Sequence, residues 1–206
     1  MNRNDRRYLA PVVAGLLLLF PVADLSACAC CSEPGDYVLR SDDSIEDYQL
    51  TQLQGMRFAA ASQLYLTEAG EEEDAKGISS VSDQYKLAVT IEAGRWRMTF
   101  RSKAGEPGTL TLPFPAAMTV FEADIHDGKK SAGNGPLLYK EWRFEGPAEG
   151  DGIFQEGLNA PARFSLVLQG RGNRCDNASD FTHWRLSVSG DKAHYVFFGK
   201  LAAVAP

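Results

Sequence analysis

Cys28-Ala29-Cys30-Cys31 gathers three of the chain's four cysteines into four residues. Thiolates favour soft metals such as Cu(I), so the cluster could bind copper. It lacks the C-x-x-C spacing of structural zinc sites. The fourth thiol, Cys175, lies about 145 residues downstream and is the only distant partner. Thiols outside the cytoplasm tend to pair, which predicts a bridge from Cys30 or Cys31 to Cys175. Pairing Cys30 with Cys31 is strained, because adjacent α-carbons are only about 3.8 Å apart.

The three histidines are His126, His183 and His194. Asp124 and His126 share a strand face and could form an acid–base pair, although no nucleophile stands beside them. A hairpin turning at Gly190-Asp191 sets His194 opposite Ser187 and His183 opposite Phe198. That separates the two imidazoles by roughly 13 Å, too far for one shared ion. The long polar stretch Gly170 to Asp180 includes Asp176, Asn177 and Asp180, and a bridge from Cys175 would hold it against the N-terminus. Loops of this length carry function more often than short ones, so these three residues form the candidate functional loop. H-E-x-x-H, G-x-S-x-G and the phosphate-binding glycine loop are all absent. No catalytic residue, metal ligand set or cofactor is therefore assigned.

The elements that must position these residues read as strands. Tyr85, Leu87, Val89 and Ile91 alternate, as do Trp96, Met98 and Phe100, around a two-residue turn at Ala93-Gly94. In that register Ile91 faces Trp96, Val89 faces Met98 and Leu87 faces Phe100, so a one-residue slip would destroy the pairing. The last hairpin puts Val188 opposite Ala193, Leu186 opposite Tyr195 and Trp184 opposite Phe197. Met56 to Leu66 alternates as a further strand, with Ala60 among its inward positions. Thr109–Leu112, Ala117–Ile125, Leu137–Glu145 and Arg163–Gln169 are four more, separated by Gly/Pro-rich turns. One short helix is expected over Ile45 to Gln54, capped by Ser44 with Asp47, stopped by Gly55 and presenting Ile45, Tyr48 and Leu53 on one face. Glu68 and Glu71 to Asp74 form an acidic loop that matches no calcium-loop spacing. About nine strands and no intervening helices predict an all-β fold, a single antiparallel barrel or sandwich.

Arg3, Arg6 and Arg7 precede an apolar run from Val12 to Ala23. At about 12 residues this run is shorter than a bilayer span, which takes roughly 20, and the pattern is that of a secretory signal peptide. Leu25-Ser26-Ala27-Cys28 resembles the lipobox of bacterial envelope lipoproteins, a resemblance that implies an acylated Cys28. Asp24 departs from that pattern. Two alternatives stand beside it: Ala27-Cys28-Ala29 as an A-x-A site opening the chain at Cys30, or cleavage before Cys28 without acylation. Asp5-Arg6-Arg7-Tyr8-Leu9-Ala10 also resembles a twin-arginine export signal.

The domain reading is a signal peptide over 1–27, a Cys-rich tether over 28–40 and an antiparallel β-domain over 41–206. Residues 1–27 hold three of the 21 Lys+Arg and two of the 27 Asp+Glu, leaving 18 against 25, a net −7. Such a balance argues against a nucleic-acid partner. The expectation is an exported, non-catalytic binding or interaction module of the periplasm or outer membrane. It would engage a small apolar ligand or another envelope protein and touch the membrane only through an N-terminal lipid. The alternatives are a thiol-based copper-binding protein and, resting on Asp124 and His126, a hydrolase.

Overall fold

A computed structural model describes residues 30–42, 44–68, 70–103, 105–114, 116–125 and 135–202. The strands are β1 (Tyr37–Asp42), β2 (Arg57–Leu64), β3 (Gln84–Glu92), β4 (Arg95–Arg101), β5 (Gly108–Pro113) and β6 (Met118–Ala123). They continue with β7 (Leu138–Pro147), β8 (Glu149–Gly152), β9 (Ala162–Gly172), β10 (Phe181–Gly190) and β11 (His194–Ala202). Two helices, α1 (Asp47–Gly55) and α2 (Glu71–Asp74), join them. All eleven strands form one antiparallel sheet in the order β1-β6-β7-β9-β10-β11-β2-β3-β4-β5-β8. The order is open, yet β8 follows β7 after the single residue Ala148. The sheet thus curls back toward its own middle, and the all-β fold is barrel-like.

Alternation fills the interior. Trp96, Trp142, Trp184, Phe100, Phe144 and Phe197 are all essentially inaccessible. The Trp96 and Phe144 rings, from β4 and β7, lie 5.6 Å apart although their strands are not neighbours. Phe100 and Phe197, from β4 and β11, meet at 4.3 Å. Close-packed aromatics of this size dominate core energetics.

The hairpin of β3 and β4 has the predicted register, from Glu92 opposite Arg95 to Leu87 opposite Phe100. Its turn has positive φ at both Ala93 (49°) and Gly94 (72°), the combination that a tight hairpin turn of this hand requires. The last hairpin differs from expectation by two residues. Val188 pairs with Tyr195, Leu186 with Phe197 and Trp184 with Gly199, and the turn sits at Asp191-Lys192. A two-residue shift leaves every side chain on its face, so alternation alone could not exclude it. Steric fit decides it: a β-carbon on Gly199 would stand 2.9 Å from the Trp184 ring. Phe197 opposite Trp184 would therefore crowd a place reserved for a residue without a side chain.

The other differences are local. β2 carries extra residues against β11, so Ala60 is exposed rather than inward. The helix starts at Asp47, and its first turn is held by Glu46, whose N–H donates to Gln49 Oε1 at 3.0 Å, not by Ser44. Tyr48 is exposed, and Gln49 joins Leu53 on the buried face. The acidic loop contains α2, and Asp74 accepts from the Thr67 N–H. Strand β1 begins inside the span read as tether. Its inward positions, Val38, Arg40 and Asp42, lack the apolar signal of a buried face, and β8 is too short and glycine-rich to announce itself.

Candidate functional site

The tether and the polar loop meet where β1, β6 and β7 end. Cys30 is bridged to Cys175, with α-carbons 5.1 Å apart, so Cys30 rather than Cys31 is the partner. The Arg174 N–H donates to the Cys30 carbonyl at 3.2 Å, and the Arg174 guanidinium meets Asp36 at 2.7 Å. That hydrogen-bonded guanidinium, followed by the Glu33 N–H, holds the Asp36 carboxyl below its ordinary range. Asp124 belongs to the same clamp: its Oδ2 accepts from the Gly35 N–H and its own N–H donates to the Asp36 carbonyl. Its proposed partner His126 lies outside the described residues, as does Cys28.

All three residues of the candidate loop turn toward the protein. Asp176 Oδ2 accepts from Gln49 Nε2 at 3.0 Å and lies 3.5 Å from Arg40 Nη2. Asn177 Oδ1 accepts from the Tyr48 hydroxyl at 3.0 Å, and the Ala178 N–H donates to Gln52 Oε1 at 2.8 Å. Helix α1 therefore meets the loop through three polar side chains, Tyr48, Gln49 and Gln52. Asp180 reaches furthest inward, 3.2 Å from Lys140 Nζ.

Lys140 is the residue around which the loop is organised. It is fully buried on β7, donates to the Cys175 carbonyl and lies 3.6 Å from Glu122 Oε1 of β6. Burial pushes the carboxyls of Glu122 and Asp180 upward, and the ammonium of Lys140 opposes the rise in each. Room for the loop comes from Gly170 and Gly172 on β9. Gly170 is the cross-strand partner of Lys140, and a β-carbon there would collide with the Asp180 carbonyl. At Gly172 it would collide with the Asp180 carboxyl. Two glycines in alternate positions thus clear one face for one turn of chain.

Sequence reasoning missed Lys140 and Glu122. The signal was present: Lys140 has the inward parity of Leu138, Trp142 and Phe144, and Glu122 that of Met118 and Val120. Opposite charges at inward positions of neighbouring strands imply a buried pair.

His183 and His194 sit six positions apart on the last hairpin, facing Lys200 and Ser189, which is further than expected. His183 borders an open surface groove of about 480 Å³ with Phe198 and Ala61, and its Nδ1 lies 2.9 Å from the Thr182 hydroxyl. The His194 N–H donates to the Lys76 carbonyl. Among the described residues no three His, Cys, Asp or Glu side chains are placed to share a metal ion. Chemically, the arrangement at the loop is a clamp: Lys140 meets Glu122, Asp180 and the Cys175 carbonyl, and Asp176 meets Arg40 and Gln49, while Glu122 Oε1 and Asp176 Oδ1 are buried without a hydrogen bond. No protein-family model, curated protein or solved structure matches the chain.

Proposed function

We propose that this is an exported envelope protein, attached to a membrane through Cys28, whose β-domain serves as a non-catalytic interaction module. The observation that carries the reading is the Cys30–Cys175 bridge, which suits an oxidising compartment and fixes the segment next to Cys28 against the domain. The aromatic interior supports engagement of a partner at the outer surface rather than storage of a small apolar ligand within the sheet. The copper reading loses one thiolate of its cluster to the bridge. The hydrolase reading loses the freedom of Asp124, which is engaged with Gly35.

Intact mass of the protein from its native compartment, with and without reduction and alkylation, tests this. The expected result is a diacylglyceryl mass on Cys28 and two extra alkylated thiols after reduction. An N-terminus at Cys30, or a Cys175 that alkylates without reduction, would overturn it.

A further inference from the structure

Strand β1 is an edge strand, and its outward face is unusually apolar. Tyr37 and Leu39 are 64% and 61% exposed. Register puts them on the same face as Phe121 of β6, opposite Leu39, and Tyr139 of β7, opposite Ala123. The rings are contiguous, Tyr37 to Phe121 at 5.5 Å and Phe121 to Tyr139 at 6.1 Å. Ile125 and Leu137, each 56% exposed, lie just beyond the ends of β6 and β7 at the same edge. Four of the seven large apolar side chains exposed among the described residues thus gather at one corner. A contiguous apolar patch on an edge strand marks a surface that something covers.

The tether leaves the domain at this corner. Tyr37 follows Asp36, which holds Arg174 beside the Cys30 bridge, and the Asp36 carbonyl accepts from Asp124, the residue before Ile125. Only Ala29 separates Cys28 from Cys30. Two peptide steps span about 7 Å, so an acyl chain on Cys28 would hold this corner at the membrane. The polar groups beside the patch already satisfy one another: the Tyr139 hydroxyl donates to Glu141 at 2.6 Å, and Gln169 donates to both. Covering them would strand little hydrogen-bonding capacity. Arg143 and Arg171 flank the rings on the same face, Arg143 paired with Glu141 at 3.6 Å and Arg171 donating to the Leu137 carbonyl at 3.5 Å. Tyrosines, aliphatics and flanking arginines are the composition of a membrane-interface belt.

We infer that the outer face of β1, β6 and β7 lies on the lipid headgroup surface and orients the anchored domain. The inference rests on attachment through Cys28 for its geometry, but it can be tested without the lipid. The full mature chain carrying Cys28→Ser, exported behind a leader removed by ordinary signal peptidase, is floated with vesicles of 4:1 phosphatidylcholine and phosphatidylglycerol. It should co-float, and Leu39→Ser with Ile125→Ser should lower the partition coefficient at least about tenfold while leaving the melting temperature in place. Absence of flotation by the Cys28→Ser chain would overturn the inference. So would a dimer in solution that the same two substitutions disperse, because the face would then meet a second copy. An unacylated native protein whose face still binds vesicles would remove the anchor and keep the membrane face.

Discussion

Lys140 and Glu122 stand directly opposite each other on neighbouring strands, with Nζ 3.6 Å from Oε1, both inside the protein. Each is removed from water, and their attraction offsets that cost only because Asp180 and the Cys175 carbonyl complete the ammonium's surroundings. Lys140→Met should destabilise the fold by about 3–5 kcal/mol, since it leaves buried carboxylates without a counter-charge. Adding Glu122→Gln and Asp180→Asn to it should recover a large part of that loss. Denaturant midpoints of the single and triple variants check this, and equal midpoints would contradict the pairing.

Gly170→Ala should dislodge the loop, because the added methyl collides with the Asp180 carbonyl. Overpacking of this kind costs about 1–3 kcal/mol. Amide exchange of residues 174–180 should speed up in the variant, while the β3–β4 hairpin keeps its protection.

The bridge encloses a long stretch of chain, 145 residues from Cys30 to Cys175. In the chain-entropy account a loop of this size contributes about 5 kcal/mol through the unfolded state. Cys175→Ser should therefore lower the melting temperature about as far as reducing the wild type does, and reductant should not affect the variant. A variant that still responds to reductant would assign the stabilisation to other thiols.

Acid should loosen the Asp36–Arg174 clamp before the domain unfolds, while the Cys30–Cys175 bridge keeps the tether attached. The Asp36 carboxyl lies below its ordinary value of 3.8 in the folded protein. Its contribution is therefore complete above that value and is lost as pH falls through the lowered one. Glu122 and Asp180 have the opposite sign: they protonate above their ordinary range, and that step favours the folded state relative to the unfolded. Exchange of the Arg174 amide, followed from pH 5 downward and corrected for intrinsic rate, should accelerate only below about pH 4, the ordinary range for aspartate. In Asp36→Asn that protection should already be absent at pH 5.

Ala93 occupies a left-handed position that disfavours a side chain without local hydrogen bonding. Ala93→Asn should raise stability by about 0.5–1 kcal/mol, because Asn-Gly is the preferred pair for this turn. A thermal melt is sufficient to check it.

The β3–β4 hairpin was legible because three independent signals agree there: alternation on both strands, a two-residue turn and apolar pairing at every level. Where only alternation operates, parity is determined and register is not, as the two-residue shift at Gly199 shows. The same limit hid the candidate site. Asp176, Asn177 and Asp180 read as a candidate functional loop, but nothing local says what lies beneath a polar residue. They are instead met by α1, β1 and β7, at sequence separations from 40 residues, between Asp180 and Lys140, to 136, between Asp176 and Arg40.

By itself the sequence determined the all-β class, the faces of the strands outside the irregular part of β2, the acidic balance and the distant partner of the cysteine cluster. Those follow from period-two burial, composition and the scarcity of thiols, all of which act along the chain. Only the tertiary structure decided that Cys30 makes the bridge, that Lys140 is the loop's buried counter-charge and that the apolar face of β1 lies beside the tether. These depend on which strands lie side by side, and steric fit at glycines such as Gly170 and Gly199 selects that arrangement from several that share the same pattern.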